Sequence, residues 1–186
     1  MKFKEMLKKT LGMIEELNEE NNYLTDDPDI QNKILEVVNQ IMFEAVRMKK
    51  IPAYVELDVE EGQRVTFADI KAVEGFDVYQ LDKIHGPQFE LKAQGTIIKA
   101  LESGTLEIEF FRYPTRITEE NMEEYEFELS DDILECMPYG IAADLLKSDV
   151  SANYGQSYSQ RYETMLQRLD SRYSMGMISI EGGTDI

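Results

Sequence analysis

The residues that most often carry catalysis are scarce in this sequence. It contains one histidine, His85, in the turn-like stretch "HGP", and one cysteine, Cys136, in an apolar stretch that predicts a helix. A single histidine excludes a multi-histidine metal site within one chain, and no histidine lies close to Cys136 in sequence to activate its thiol. We therefore expect His85 to be a solvated turn residue. Cys136 is expected to be a buried structural thiol, which fits a reducing compartment.

Carboxylates are abundant instead, with 37 Asp and Glu residues among 186. A glycosidase needs two carboxylates across a cleft with separated acidities, but in so acidic a chain close pairs arise by chance. The stretch "TDDPDIQNK" lacks the glycine and the terminal glutamate of a calcium loop, and glycine-rich phosphate-binding loops are absent from the sequence. We expect no enzyme activity, no cofactor and no bound metal.

The charge balance limits the partners that the protein attracts. Nineteen Lys and Arg residues against 37 Asp and Glu residues give a formal net charge of −18. This charge argues against nucleic acid or an anionic membrane as an attractive partner, so the protein either avoids polyanions or imitates one. The densest acidic run is "TEENMEEYEFELSDD", residues 118–132. Two interpretations stay open for it: a solvated linker that leads into a helix, or a negative surface past which DNA slides without adhering.

The first 51 residues predict two helices. Apolar residues at helical spacing, with charges between them, indicate a helix over residues 2–19 and neither a signal peptide nor a membrane span. Asp27 as the N-cap and Pro28 as the first helical residue begin a second helix, whose apolar period runs to Met48. The lysine pair at 49–50 is expected to close this helix favourably against its dipole.

Residues 52–117 change to an alternating period. Six short segments rich in β-branched and aromatic residues are separated by turn signals: "AYVELDV", "RVTF", "FDVYQL", "FELKAQ", "TIIKAL" and "TLEIEFFRY". They predict a small antiparallel β unit of about half a dozen strands, built as a sandwich or a barrel. In the last segment, residues 106–110 ("LEIEF") are expected to turn their three apolar side chains to a core and their two glutamates the other way.

A helix with an irregular centre follows the acidic run. Ser130 and two aspartates begin it, and its apolar period reaches Leu145, but Pro138 and Gly140 interrupt the middle. Two explanations stay open: a bend that shapes the helix for a curved bundle, or a plain boundary between two short helices. The small residues around Gly140 are expected to let another helix approach closely.

The last predicted helix carries tyrosines at helical spacing, Tyr154, Tyr158 and Tyr162. Such a stripe is typical of a core face, and in an oligomer it would serve equally as a subunit contact. The following stretch, "MGMISIEGGTDI", is apolar and then rich in glycine, which indicates a docking arm or a flexible end.

These elements predict an α+β fold in which N- and C-terminal helices form a helical bundle with an inserted small antiparallel β domain. The predicted parts are the N-terminal helices (residues 1–51), the β insertion (52–117), the acidic linker with the C-terminal helix pair (118–172) and an extended tail (173–186).

Three stretches that cover most of the chain resemble a known family. They are "VNQIMFEAVRMKKIPAYVELDVEEG", "LEIEFFRYPTRITEENMEEYEFELSDD" and "ILECMPYGIAADLLKSDVSANYGQSYSQRYETMLQRL". In the order strand, RYP, acidic linker and helix pair, the chain resembles the head-to-tail connector proteins of tailed bacteriophages, also called neck adaptor or head-completion proteins. The resemblance implies a helical body interrupted by a β domain, and a dodecameric ring below the portal through which DNA passes as non-adhering cargo.

The implied partners are the portal protein, tail or neck proteins and further copies of the chain, with no membrane. The implied location is the virion neck, after assembly in the host cytoplasm. Candidate subunit contacts are Tyr154, Tyr158, Tyr162 and Arg168. Candidate portal-docking residues are Met177, Ile178 and Ile180. Candidate channel-facing carboxylates are Glu119, Glu120, Glu123 and Glu124.

Two other classes of function stay open. An acidic DNA mimic would place its carboxylates at phosphate spacing and inhibit a nucleic-acid-binding protein, and duplex DNA would compete with it. A β domain that binds or hydrolyses carbohydrate would have affinity for glycans, although Trp, a frequent sugar platform, is missing from the sequence.

Overall fold

A computed structural model describes residues 1–18, 25–148 and 152–174. These residues form five α-helices and two three-stranded antiparallel sheets, so the protein belongs to the mixed α+β class. The helices are α1 (Phe3–Met13), α2 (Pro28–Ala45), α3 (Phe67–Glu74), α4 (Asp131–Leu145) and α5 (Ala152–Ser174). The strands are β1 (Ile51–Val59), β2 (Arg64–Thr66), β3 (Val78–His85), β4 (Phe89–Lys92), β5 (Ile97–Ala100) and β6 (Gly104–Arg112).

Helix α1 ends earlier than its apolar period suggests. It stops at Met13, whereas the sequence predicts a helix to residue 19, and residues 16–18 are not helical. Glu15 adopts a φ of 60°, and the backbone N–H of Glu16 donates to the carbonyl of Leu11 at 3.0 Å. This is the Schellman arrangement, which closes a helix through a left-handed residue. Glycine is the usual residue at that position, so the glutamate here gives the sequence no stop signal.

The predicted start of α2 is confirmed. Asp27 Oδ1 accepts hydrogen bonds from the backbone N–H groups of Asp29, at 2.7 Å, and Ile30, at 3.4 Å. Pro28 is the first helical residue, where its missing N–H costs no intrahelical bond.

The predicted end of α2 is wrong. The helix stops at Ala45, and Lys49 and Lys50 lie beyond it. Lys49 instead reaches Asp132 at the start of α4, with 3.1 Å between Nζ and Oδ1. Lys50 Nζ lies 4.8 Å from the centroid of the Phe111 ring. Tertiary partners therefore replace the contact with the helix dipole that the sequence suggests.

The β residues form the sheets β1-β6-β3 and β2-β5-β4. The expected alternation in residues 106–110 is confirmed, because Leu106, Ile108 and Phe110 are at most 1 % exposed. Glu107 is exposed and Glu109 partly so. The face of this strand that meets the core is thus set by its period of two.

Helix α3 is missing from the sequence prediction, which assigned its first residue to a strand. Thr66 and Asp69 form a reciprocal capping box: the Thr66 N–H donates to Asp69 Oδ2 at 2.7 Å, and Thr66 Oγ1 accepts from the Asp69 N–H at 3.4 Å. Gly75, with φ of 77°, ends the helix. The Thr-x-x-Asp spacing is a helix-start signal, but the helix is too short for its apolar period to stand out.

Buried apolar side chains form two cores. One unites α1, α2, α4, α5 and the chain between β6 and α4, and the other unites the strands with α3. Both sheets contribute to this second core. The contributing strand residues include Val55, Val59, Leu106, Ile108 and Phe110 from the first sheet and Val65, Ile98 and Ala100 from the second.

Helix α4 runs through Pro138 without a break, so a boundary between two short helices at that point is wrong. Proline removes one helical hydrogen bond. However, Pro138 is buried in a helix that contacts α1, α2 and α5, and this packing holds the helix together. Gly140 has the predicted role, because a Cβ atom there would lie 3.1 Å from the ring of Tyr162 in α5.

The acidic segment before α4 is not a solvated linker along its whole length. Three alternate residues are buried in the helical core: Tyr125, Phe127 and Leu129. Of the glutamates between them, the side chain of Glu126 is exposed and that of Glu128 is only partly so. Two backbone hydrogen bonds of 3.0 Å tie the segment to the N-terminus, from the Phe3 N–H to the Tyr125 carbonyl and from the Phe127 N–H to the Met1 carbonyl. The segment therefore packs as an extended strip, and its strand-like period is hidden by its charge.

A buried amide fixes the chain just after β6. Asn39, in α2, is 2 % exposed. Its Nδ2 donates to the carbonyl of Ile117 at 2.9 Å, and its Oδ1 accepts the N–H of Ile117 at 2.9 Å. The side chain thus satisfies both backbone polar groups of a buried residue that lies outside the strands.

We expect Asn39→Ala to lower the free energy of unfolding by roughly 2–6 kcal/mol, because two buried backbone groups lose their partners at roughly 1–3 kcal/mol each. Urea unfolding measures this loss. Gln40→Ala, at the exposed next position of α2, is the matched control and should change the free energy by less than about 0.5 kcal/mol. Equal effects of the two substitutions would contradict the role of Asn39.

Candidate interaction surfaces

The four predicted channel-facing carboxylates share one exposed turn. They are Glu119, Glu120, Glu123 and Glu124. The turn is ordered by Asn121, whose Oδ1 accepts the Thr118 N–H at 2.8 Å and whose Nδ2 donates to the Arg116 carbonyl at 3.1 Å. Met122 packs against the helical core, and Lys4 of α1 forms an ion pair with Glu123. The carboxylates therefore project from an anchored turn. Whether they face DNA stays a prediction.

A polar joint connects the end of β6 to the acidic segment. Arg112 Nη1 donates to Glu128 Oε2 at 3.0 Å, and the Thr115 N–H donates to the same oxygen at 3.1 Å. The Arg112 guanidinium lies 3.9 Å from the centroid of the Phe76 ring. Its side chain is 13 % exposed and that of Glu128 is 27 % exposed, so water screens this pair less than an open surface pair.

The joint changes the acidity of Glu128. Burial alone would raise the pKa of this carboxyl, but the hydrogen bonds from Arg112 and Thr115 outweigh that effect and lower the pKa below 4.5. The sequence gives no signal for this pair, because Arg112 in the RYP stretch and Glu128 in the acidic run are 16 positions apart. Only the fold of the segment brings them together.

The predicted tyrosine stripe of α5 occupies three different environments. Tyr154 is 69 % exposed. Tyr158 is partly buried, and its hydroxyl donates to the carbonyl of Met13 at 2.7 Å. Tyr162 is 8 % exposed and packs on Gly140 of α4. The stripe is thus largely a contact inside the chain, and Tyr154, with the exposed Arg168, offers the outward surface.

Two equally buried tyrosines differ in how their hydroxyls are satisfied. Tyr125 and Tyr162 are each 8 % exposed. The hydroxyl of Tyr125 donates to the carbonyl of Thr115 at 2.6 Å, whereas that of Tyr162 has no hydrogen-bond partner among the described residues. Burial raises the pKa of both phenols, so both are neutral donors at physiological pH. An unpaired buried donor is unfavourable for the isolated chain.

The one histidine and the one cysteine of the chain lie in different elements, β3 and α4. Cys136 is 2 % exposed, and its thiol donates to the carbonyl of Asp132 at 3.1 Å, which confirms the buried thiol. Burial raises the pKa of this thiol and so lowers its reactivity. His85 is exposed, as predicted, but it is the last residue of β3 rather than part of the turn. The predicted docking residues Met177, Ile178 and Ile180 fall outside the described residues.

No protein-family model matches the chain, and no curated protein matches it. Within residues 1–18, 25–148 and 152–174, no three side chains of the types that bind metal cluster in a way that would hold an ion. None of the helices in the described parts combines the length and apolarity needed to cross a membrane.

Removal of the two buried hydroxyls should affect stability differently. Tyr125→Phe loses a hydrogen bond and should lower the free energy of unfolding by about 1 kcal/mol. Tyr162→Phe removes an unpaired polar atom and should leave that free energy unchanged or raise it. Urea unfolding of the two variants compares the same chemical change at equal burial. Equal losses would show that the Tyr162 hydroxyl is satisfied within the chain.

Stability should depend on pH through Glu128. Because its pKa is lowered in the folded chain, the ionised carboxylate stabilises the fold above its ordinary value of 4.5, and this contribution is lost as the pH falls through the folded pKa. Between about pH 5 and pH 3, the free energy of unfolding should therefore fall more steeply for the natural chain than for Glu128→Gln. Glu124→Gln, which removes an exposed carboxyl nearby, is the control and should retain the steep fall. Parallel pH profiles for all three proteins would rule out this role of Glu128.

Proposed function

We propose that the chain is a structural virion protein, a head-to-tail adaptor that forms a ring below the portal of a tailed bacteriophage. DNA passes through the ring, and tail components attach to it. The segment from β6 to α4 carries the proposal, because it contains the order of strand, RYP and acidic run by which the sequence resembles connector proteins.

The contacts of this segment support the resemblance. Arg112 of the RYP stretch binds Glu128 of the acidic run, and Thr115 between them binds the same carboxylate. A chance similarity of composition would not place an arginine, a threonine and a glutamate where they bind one another. Here Arg112 and Thr115 each bind Glu128 within the stretch, so the place of these three residues has a structural reason.

The same contacts suggest how the two cores are organised. In the proposed adaptor, α1, α2, α4 and α5 form a helical body, and the strands with α3 form a β domain inserted between α2 and the acidic segment. The chain enters the insertion after Lys50 and leaves it at Arg112. Lys49, Asn39 and Arg112 hold this crossing in place through Asp132, Ile117 and Glu128.

In the proposed ring, the acidic turn, helix α5 and the C-terminal tail each have a different partner. The anchored turn with Glu119, Glu120, Glu123 and Glu124 faces the channel, where like charge prevents DNA from adhering. Tyr154 and Arg168 of α5 meet a neighbouring subunit. Met177, Ile178 and Ile180 of the tail add to the portal as an extended arm, a mode in which main-chain hydrogen bonds supply affinity.

Mixing the purified protein with the portal ring encoded by the same genome tests the proposal. We expect negative-stain electron microscopy to show an added coaxial layer with an open channel. Truncation after Tyr173 should abolish this layer while leaving urea unfolding unchanged, because the arm is lost and the cores are kept.

The two proteins separate the adaptor from its docking arm. Bare portals at saturating full-length protein would contradict the adaptor. A layer formed by the truncated protein would contradict only the role of Met177, Ile178 and Ile180. Binding of a basic DNA-binding protein, competed by duplex DNA, would favour the acidic DNA mimic instead.

A further inference from the structure

The first sheet carries an acidic face on the side away from the strand core. Four carboxylates belong to it: Glu56, Asp58, Glu107 and Glu109. The strand register sets Glu56 directly opposite Glu107, and Tyr54 opposite Glu109. Lys83 neutralises one of the four, with 3.1 Å between its Nζ and Glu109 Oε2. Tyr54 is 47 % exposed beside them, so the face combines negative charge with an aromatic side chain.

The second sheet carries a basic face on its own outer side. Arg64 of β2 stands directly opposite Lys99 of β5, and Lys99 stands opposite Glu90 of β4. Glu90 forms an ion pair with Lys92 on the same strand. Neither Arg64 nor Lys99 forms an ion pair with any residue that the structure describes. Among these strand positions, three cations stand beside one carboxylate, in a chain whose net charge is −18.

Both faces point away from the same core. Val55, Ile108 and Val65 belong to the shared β core, and their neighbours along each strand lie on the opposite side, because side chains alternate in a strand. The pairs Glu56–Glu107 and Arg64–Lys99 each place like charges directly across neighbouring strands, which is unfavourable in an isolated sheet. His85, opposite Glu107 on β3, also lies on the acidic face. A surface of opposite charge would relieve both pairs.

We propose that the acidic face of one copy of this chain docks on the basic face of a second copy. The contact pairs Glu56 and Glu107 with Arg64 and Lys99, and Tyr54 supplies apolar area beside the charges. It is a heterologous contact, because two different patches of the chain meet. Repetition of such a contact gives a closed ring when the rotation between copies closes, and an open filament when it does not.

This contact adds to the proposed function and rests on it only for the closure of the ring. The pairing of two copies does not depend on the adaptor. It also places one subunit contact on the β domain, away from the tyrosines of α5.

Charge reversal of each face tests the pairing without a portal. One variant, Glu56→Lys with Glu107→Lys, makes both faces basic, and the other, Arg64→Glu with Lys99→Glu, makes both faces acidic. Sedimentation velocity at low ionic strength should show about a tenfold or greater loss of self-association for either variant, because juxtaposed like charges cost several kcal/mol. An equimolar mixture should associate again, because each variant then presents the face that the other needs.

The mixture decides the outcome. A sedimentation coefficient above that of either component, and lost at high salt, supports the pairing. A mixture that sediments as the average of its components overturns it. If repulsion between the net charges alone controlled association, the variant with Glu56→Lys and Glu107→Lys would associate more strongly than the natural chain, because it is less negative. Arg64→Gln with Lys99→Gln gives the same test in a variant without reversed charge, should the acidic double substitution fold poorly.

This experiment and the portal experiment can fail independently. If full-length protein forms a layer on portals but the mixture of variants does not associate, the adaptor is supported and the contact between the β faces is excluded. If the mixture associates but the portals stay bare, the contact between the β faces is supported and the adaptor is excluded.

Discussion

The amide of Asn39 fixes the position at which the chain leaves the β unit and joins the helical core. Both backbone groups of Ile117 are buried, and a single side chain from α2 satisfies them. The segment that follows depends on this anchor, because its buried residues, Tyr125 among them, must fall in register with the helical core. The pairing of Arg112 with Glu128 closes the same segment from its other side.

The charge of the chain is arranged unevenly around these cores. The carboxylates of residues 119–124 project from an ordered turn, and those of Glu56 and Glu107 lie on a rigid sheet. The few unpaired cations of the β unit, Arg64 and Lys99, gather on a different sheet. In the proposed adaptor, this separation would orient neighbouring copies through opposite charge and would let a polyanion pass without adhering.

Sequence patterns predicted those elements whose side-chain period is undisturbed. The alternation of residues 106–110 and the cap formed by Asp27 are local signals, and both are confirmed. Two predictions failed for local reasons, because α1 ends at a left-handed glutamate rather than a glycine and α3 is too short for its period to stand out. The others failed because of contacts distant in sequence. Lys49 forms an ion pair with Asp132 rather than a contact with the end of its own helix. Helix α4 continues through Pro138 because neighbouring helices pack against it. Asn39 gave no signal at all, since a lone asparagine in a helix resembles any solvated residue until its partner is known.

A head-to-tail adaptor has to be present in the finished virion, at the neck between head and tail. The most direct measurement is immunogold electron microscopy of purified virions produced by the genome that encodes this chain, with an antibody against the chain. We expect gold at the junction between head and tail in intact virions. Virions that lack the protein, or that carry it elsewhere than the neck, would show that it is not a head-to-tail adaptor.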